Sequence, residues 1–377
     1  MILIGRINSK EVRYLANTGE FVILNTLSAA IVEAFEAGAS QVEVSEALST
    51  SGIDSASVEI QRLWELFTDG QVISRESPNE PEQYKFSVLP DELDCPYCLE
   101  INCGTVAVIL RADALARIAL FCYFERYFTT SMPDYPLPLS GTITFRQKDE
   151  DLFELCVFSE GRLVQRTHGT VTSCFVEASR SLSELACNYS KHLAVLHAAT
   201  LIRGQQTVIL VNPSGSGKTT LAWLMTKAGF EMVHDDCLPV NYTGNIAQML
   251  TPSTLKPGSW KVLQDSGIQL QEDIFPRLQT FVRYHPISTC KEQLTGTNRH
   301  FLFVQFDPDI NSRLTEIDAL TAFTRVVSEE CVVREQKADN LRRLFDWIVD
   351  SRSAELHYSD LNSAIEMIDT WLDNAKK

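Results

Sequence analysis

No uninterrupted apolar run in the 377 residues goes without charges long enough to span a bilayer, and the opening "MILIGRINSKEVRYL" has too short an apolar core for a signal peptide. A cytoplasmic protein is therefore expected, with no membrane partner. No basic block occurs either. Lysine and arginine total 33 against 49 acidic residues, a net charge of −16, which disfavours general affinity for a nucleic-acid backbone or an anionic surface. The ten cysteines follow no repeating spacing, so a disulfide framework is not indicated. Internal repeats and low-complexity tracts are also missing. What is present is a hydrophobic content of 45%, enough for two or three compact units; a homo-oligomer is left open.

Residues 1–75 read as a small module. "VRYLANTGEFVILN" is a hairpin around Asn17, Thr18 and Gly19, and a helix follows from Thr26 with Asn25 as its cap and Gly38 as its stop. Ser40 and Glu43 form a capping box for a second helix. A third, capped by Asp54 or Ser55, carries Val58, Leu63, Leu66 and Phe67 on one face before the turn Asp69-Gly70 and a strand "QVI", completing a winged-helix outline. Residues 76–100, with three prolines and no periodicity in "SRESPNEPEQYKFSVLPDELD", read as a linker. From residue 101 to the end, strand-like runs ("TVAVIL", "GTITF", "FELCVF", "GTVTSCFV") precede a helix near Ser181 to His192, then the strands "LHAATLI" and "TVILV". The chain closes with an amphipathic helix (Leu341, Leu344, Phe345, Ile348), the strand "AELHY" and a helix from Asp360 with Ile365, Ile368 and Leu372 inward.

The chemistry concentrates in "TVILVNPSGSGKTTLAWLM". A buried strand, Val208 to Val211, is followed by Asn212, Pro213, Ser214, Gly215, Ser216 and Gly217, and then by a helix with Leu221, Leu224, Met225 and Ala228 on one face and Gly229 as its stop. Small residues let successive amides converge at a helix N-terminus, forming an anion nest. Lys218 can reach the β- and γ-phosphates of ATP or another nucleoside triphosphate, Thr219 can ligate Mg²⁺, and Thr220 continues the loop into the helix. Asn212 stands where the usual pattern has glycine, and asparagine tolerates a left-handed backbone best among the other residues. The bland alternative is a glycine-rich turn without a ligand. Soon afterwards "FEMVHDDC" brings Asp235 and Asp236 to a strand end, where one carboxylate can hold metal and the other accept a hydroxyl proton. In isolation such a pair is as often a solvated turn. His234 can cap that strand end, and Cys237 reads as core.

The stretch "LHAATLIRGQQTVILVNPSGSGKTTLAWLMTKAGFEMVHDD" resembles the core of the HPr kinase/phosphorylase family, whose fold is akin to phosphoenolpyruvate carboxykinase. With "TPSTLKPGSWKVL", "VRYHP" and "AELHYSDLNSAIEMIDTWL" it is similar to the HPr-kinase-related proteins of peptide natural-product gene clusters, a likeness covering about residues 101–372. It implies Asp235 as general base toward a protein serine, His197 as its support, and Mg²⁺ held by the Thr219 hydroxyl, which leaves Asp236 as the metal-holding carboxylate of the pair. The family's Glu-x-Arg-Gly segment has no equivalent, so a further metal ligand is unassigned and HPr is disfavoured as substrate. Lys256, Arg283 and Arg299 are candidates for stabilising the transferring phosphoryl group, and each reads equally well as a surface cation.

The front module resembles PqqD-like domains, which bind leader peptides of ribosomally made, modified peptides. This implies capture of a precursor peptide, leader plus core, on the edge strand Phe21, Val22, Ile23 and Leu24, with a groove near Trp64. The competing reading, a DNA-binding winged helix, is disfavoured by charge. "DCPYCLE" has a redox-like or zinc-like spacing but precedes a β run, and a structural role for Cys95, Cys98 and Cys103 is preferred. The expected architecture is a winged-helix domain followed by a P-loop α/β domain. The expected activity is an ATP- and Mg²⁺-dependent peptide serine/threonine kinase. The alternatives are a nucleotide-gated scaffold without phosphotransfer and a small-molecule kinase.

Overall fold

A computed structural model describes residues 1–16, 18–50, 57–72, 95–188, 192–277, 280–290, 298–329, 331–333 and 336–374. The chain begins with β1 (Ile2–Ile7), β2 (Lys10–Leu15), β3 (Glu20–Leu24), α1 (Thr26–Glu36), α2 (Gln41–Thr50) and α3 (Ser57–Val72). A second stretch runs β4 (Tyr97–Asn102), β5 (Ala107–Ala112), α4 (Ala114–Tyr127), β6 (Leu139–Asp149), β7 (Leu152–Ser159), β8 (Arg162–Gly169) and α5 (Val171–Asn188). Next come β9 (His192–Leu196), β10 (Ala199–Arg203), β11 (Gln206–Val211), α6 (Lys218–Lys227), β12 (Glu231–His234), β13 (Leu238–Asn241), β14 (Ser253–Leu255), α7 (Pro257–Asp265), β15 (Phe275–Arg277) and β16 (Thr280–His285). The last stretch is β17 (Asn298–Phe306), β18 (Arg313–Glu316), α8 (Ala319–Glu329), β19 (Cys331–Val333), α9 (Ala338–Val349), β20 (Arg352–Tyr358) and α10 (Leu361–Asn374). Among the described residues no helix is long and apolar enough to cross a membrane.

These elements form two compact units, and the smaller is not one stretch of sequence: residues 319–328 and 335–350 join the first 83. Its sheet is the antiparallel meander β1-β2-β3. Strand alternation divides the faces. Val22 and Leu24 pack into the core of α1, α2 and α3, where Ile31, Val32, Phe35, Ile60 and Leu63 are buried. The same face carries a buried ion pair, Arg13 to Glu11 at 3.0 Å, with Arg13 also reaching Glu36 of α1 at 2.7 Å. The opposite face carries Tyr14 and Phe21, which pair across the strands, and it receives α8 and α9: the Phe21 ring meets Phe323 at 5.3 Å, and Phe323 meets Phe345 at 5.0 Å. Gly5 of β1 is required there, because a Cβ would stand 2.1 Å from the Phe345 ring.

Asn25 caps α1 through the Ser28 amide at 2.8 Å, Gly38 follows the helix at φ 96°, and the Ser40–Glu43 capping box forms in both directions. The expected strand "QVI" is not formed: α3 continues through Asp69, Gly70, Gln71 and Val72. Its inward stripe is Ile60, Leu63, Trp64 and Phe67, whereas Val58 is 79% exposed. That stripe outweighs one interior glycine, whose cost is about 1 kcal/mol. The module is thus a leading meander followed by helices, with β1 as a strand the sequence did not signal. Asn17, Asp54 and Ser55 lie outside the described residues.

In the larger unit, β4-β5-β6-β7-β8 form one sheet, covered by α4 and α5 around Phe124, Phe145 and Phe175. Tyr97–Glu100, expected in the linker, belong to β4; residues 76–94 lie outside the described residues. "GTVTSCFV", expected as a strand, instead closes β8 and opens α5, which also replaces the helix expected over Ser181 to His192. Cys174, Phe175, Ala178, Leu182 and Leu185 recur at helical spacing and are buried, while the Ser173 amide is capped by the Thr170 hydroxyl at 3.4 Å.

The central sheet has the order β12-β10-β11-β17-β20-β18. β17 is parallel to β11 and β20, while β10 is antiparallel to both β11 and β12, so β11, β12, β17 and β20 all point one way. Their carboxyl ends share one edge, the ligand edge of open α/β sheets. α6 and α10 contribute to the core that covers this sheet.

Candidate functional site

At that edge β11 leads into the glycine loop and α6. Gly217 sits at φ 97° and caps α6. A side chain there is excluded by more than conformation, since a Cβ would come 2.4 Å from the Tyr358 hydroxyl, which donates to the Gly217 carbonyl at 3.2 Å. The Phe306 amide donates to the Ser216 carbonyl at 2.9 Å. The ends of β17 and β20 therefore clamp the loop. Asn212 has φ 157°, near the extended limit rather than in the compact left-handed well expected from the sequence. Its side chain explains the residue: Nδ2 donates to the Val304 carbonyl at 2.9 Å, tying the end of β11 to β17, which glycine could not do.

Lys218 is buried at the loop's centre, its Nζ donating to the carbonyls of Asn212 and Pro213. Lys256, at the N-cap of α7, donates to the Ser214 hydroxyl at 2.7 Å, so a second ammonium reaches the loop. Ser216 Oγ is buried without a hydrogen-bond partner. Two amines, a buried hydroxyl and amides opening a helix supply what a polyphosphate needs.

The acid pair follows β12, and its two carboxylates face different surroundings. Asp235 is buried, with the Thr219 and Ser253 hydroxyls and the Lys218 ammonium around it. Its Oδ1 has no hydrogen-bond partner. Burial, then the neighbouring Asp236 charge, pushes its pKa up to about 7 against the pull of those groups. Asp236 is open to solvent and pairs with His197, Nε2 to Oδ1 at 2.9 Å. Although its side chain is exposed, desolvation by the protein packed around the site would raise Asp236, but the His197 hydrogen bond and charge, with His234 and Arg277, outweigh it and hold its pKa down to about 2. His197 itself lies between β9 and β10, where the chain passes from one sheet to another, rather than within a continuous strand.

His234 anchors the turn. Its Nδ1 accepts the backbone amides of Asp236 at 2.8 Å and Cys237 at 2.6 Å, which leaves the ring proton on Nε2, facing the Thr251 hydroxyl at 2.9 Å. Burial keeps this imidazole neutral, its pKa lowered to about 4. Arg277, which the sequence reading passed over, stands within electrostatic reach of Asp236. Its only signal was a cation in a short strand.

The remaining candidates separate. Arg283 is paired in register with Leu255, the neighbour of Lys256, but its guanidinium lies over the Trp260 ring at 4.6 Å. Arg299 pairs with Thr207, four residues before Val211 on β11, which puts it about 13 Å back along the strand from the loop. Its Nε donates to the Ser351 hydroxyl at 3.3 Å, so it belongs to the far edge of the sheet. Thr220 is half-buried in the first turn of α6. Phe21 and Ile23 face α8 and α9; Val22, Leu24 and Trp64 belong to the other face, with Trp64 against Phe35 at 4.9 Å. Cys95 is buried and directed at the Phe145 carbonyl, and Cys98 is exposed on β4. Among the described residues no group of three or more histidine, cysteine or acidic side chains forms a metal cluster.

Compared with protein-family models and with curated proteins, the chain matches none.

Proposed function

We propose that the larger unit is an ATP-dependent phosphotransferase acting on a hydroxyl of a peptide, and that the smaller unit receives that peptide. The observation that carries this reading is the shared edge of the central sheet. There the P-loop, a buried carboxylate beside Thr219 and an exposed carboxylate backed by His197 occupy the ends of strands running in one direction.

The partition of the acid pair favours roles exchanged from those the resemblance implies. Asp235, with its carboxyl beside the Thr219 hydroxyl and its Oδ1 unpartnered, fits a divalent cation, so Thr219 and Asp235 would hold Mg²⁺. The ion would supply charge neutralisation for the phosphates. Asp236 then accepts the proton of the acceptor hydroxyl: as oxygen bonds to the γ-phosphorus, the bond to the leaving diphosphate breaks and the proton passes to Asp236, with His197 holding the carboxylate in place. Lys218 and Lys256 oppose the charge spreading over the phosphoryl oxygens. Fusion to a peptide-receiving unit raises the local concentration of the acceptor.

Single-turnover assays separate the two carboxylates. Asp236→Asn is expected to retain Mg²⁺-dependent nucleotide affinity and lose transfer by about 10²–10⁴-fold, whereas Asp235→Asn loses the Mg²⁺ dependence of binding. Equal transfer rates in Asp236→Asn and the parent would remove it as the base.

A further inference from the structure

The hairpin of β15 and β16 is held at its start by Asp273, whose carboxylate accepts the Tyr127 hydroxyl at 2.7 Å and pairs with Arg126. Phe275 is buried against Phe175 at 4.7 Å and Tyr284 at 5.3 Å. Arg277, two residues on, leaves the strand from the same face, half-buried and within electrostatic reach of Tyr284 and of Asp236. Its guanidinium makes no hydrogen bond or ion pair among the described residues. The acids nearby are engaged elsewhere: Glu184 takes Arg180 at 2.8 Å, and Glu177 accepts Gln165 at 3.4 Å. The site therefore has cations on two sides. Lys218 and Lys256 belong to the loop, and the Lys218 ammonium adjoins Asp235. Arg277 stands instead with Asp236 and His197.

We infer that Arg277 selects the acceptor: its guanidinium receives a carboxylate next to the acceptor hydroxyl along the peptide, from an acidic side chain or from the peptide's own carboxyl terminus. The inference rests on the reading of Asp236 as the base proposed above and names the substrate class that suits it. A hydroxyl approaching Asp236 passes Arg277, whose N–H groups form a planar fork that matches a carboxylate bidentately. Partial burial raises the cost of leaving those donors without a partner. In a chain of net charge −16, an acidic peptide would otherwise be repelled from a pair of carboxylates, and Arg277 offsets that repulsion where it is strongest. The phosphoryl oxygens already have Lys218 and Lys256 on the loop side, so the charge left for Arg277 to match is on the acceptor.

The test uses four pools of fluorescein-labelled peptides, degenerate at all other positions: an internal serine followed by aspartate, the same followed by asparagine, a carboxy-terminal serine with its free carboxylate, and that serine amidated. Anisotropy reads binding to the full-length chain with Mg²⁺ and a non-hydrolysable ATP analogue, and mass spectrometry reads transfer with ATP. At least one carboxylate pool should bind about tenfold or more tightly than its neutral counterpart, and which one does so identifies the source. Arg277→Ala should erase that preference, raising KM for the carboxylate pool about tenfold or more with kcat nearly unchanged. Arg277→Glu should move the preference to a pool with lysine at the aspartate position. Lys261→Ala, which removes an exposed cation on α7 paired with Asp265, should change nothing. Equal binding of charged and neutral pools by the parent would overturn the inference, as would the absence of binding by any pool. A loss of kcat shared by every pool in Arg277→Ala would do so too, because it would put the guanidinium on the phosphoryl group. Transfer to all pools alike would reject the carboxylate and spare the kinase. Arg277-dependent binding of a carboxylate pool, with no phosphate reaching any peptide, would do the reverse.

Discussion

Asp235 and Asp236 are chemically identical neighbours made unlike by what surrounds them. The folded chain holds Asp235 with a pKa of about 7, far above an ordinary aspartate, because burial and the adjacent charge penalise its ionised form. It binds a proton more tightly folded than unfolded, so its contribution to stability is complete below about pH 4 and is lost as the pH rises through about 7. Without nucleotide and Mg²⁺, Asp235→Asn should therefore melt higher than the parent at pH 8, by up to roughly 4 kcal/mol, with the gap closing toward pH 5. Thermal melts of both proteins across that range check it; parallel curves would place Asp235 in a solvated setting. At the same scale, Gly217→Ala drives a methyl into the Tyr358 hydroxyl and should abolish nucleotide binding in equilibrium dialysis while leaving the far-ultraviolet dichroism intact. The strand, glycine loop and helix of residues 206–227 were legible from sequence because their signal is local: spacing, glycine and a following apolar stripe. Which carboxylate meets Thr219 and which meets His197 was not legible. That depends on the turn His234 anchors and on where β9 hands over to β10, neither of which has a periodic signature.

Among elements, the sequence reads most clearly where periodicity and caps agree. α1 and α2 begin at their signalled caps, and α9 buries Leu341, Leu344, Phe345 and Ile348 as expected. It misleads where a β-rich composition overlies helical spacing, as in the first turns of α5, and where an Asp-Gly pair suggests a turn that the α3 stripe overrides. Two positions show elements joined by single residues. Asn212→Ala removes the bond that ties β11 to β17 and should cost about 1 kcal/mol in urea unfolding. Gly5→Ala forces Phe345 off β1 and should cost about 1–3 kcal/mol, with part of the loss recovered in the Phe345→Leu background. Equal penalties in both backgrounds would argue against direct packing of that ring on the strand.

For the whole molecule, the chain is not two domains in succession. The first 83 residues share a unit with residues 319–328 and 335–350, a partnership invisible to any local pattern because it joins segments hundreds of residues apart. Without α8 and α9 the meander would expose Tyr14 and Phe21, which are covered in the intact unit. Residues 1–83 made alone should bind a hydrophobic dye and unfold without cooperativity, whereas the same segment linked to residues 319–350 should give a cooperative melt. Cooperative folding of 1–83 alone would show that α8 and α9 are dispensable to that unit. The central claim, phosphoryl transfer from nucleotide to peptide at the shared strand edge, is tested most directly by mass spectrometry of a library of serine- and threonine-containing peptides incubated with the protein, ATP and Mg²⁺. The expected result is a gain of one phosphate on a serine or threonine, absent with Lys218→Ala and with Asp236→Asn. ATP bound tightly by the parent, with no phosphate reaching any such peptide, would contradict it.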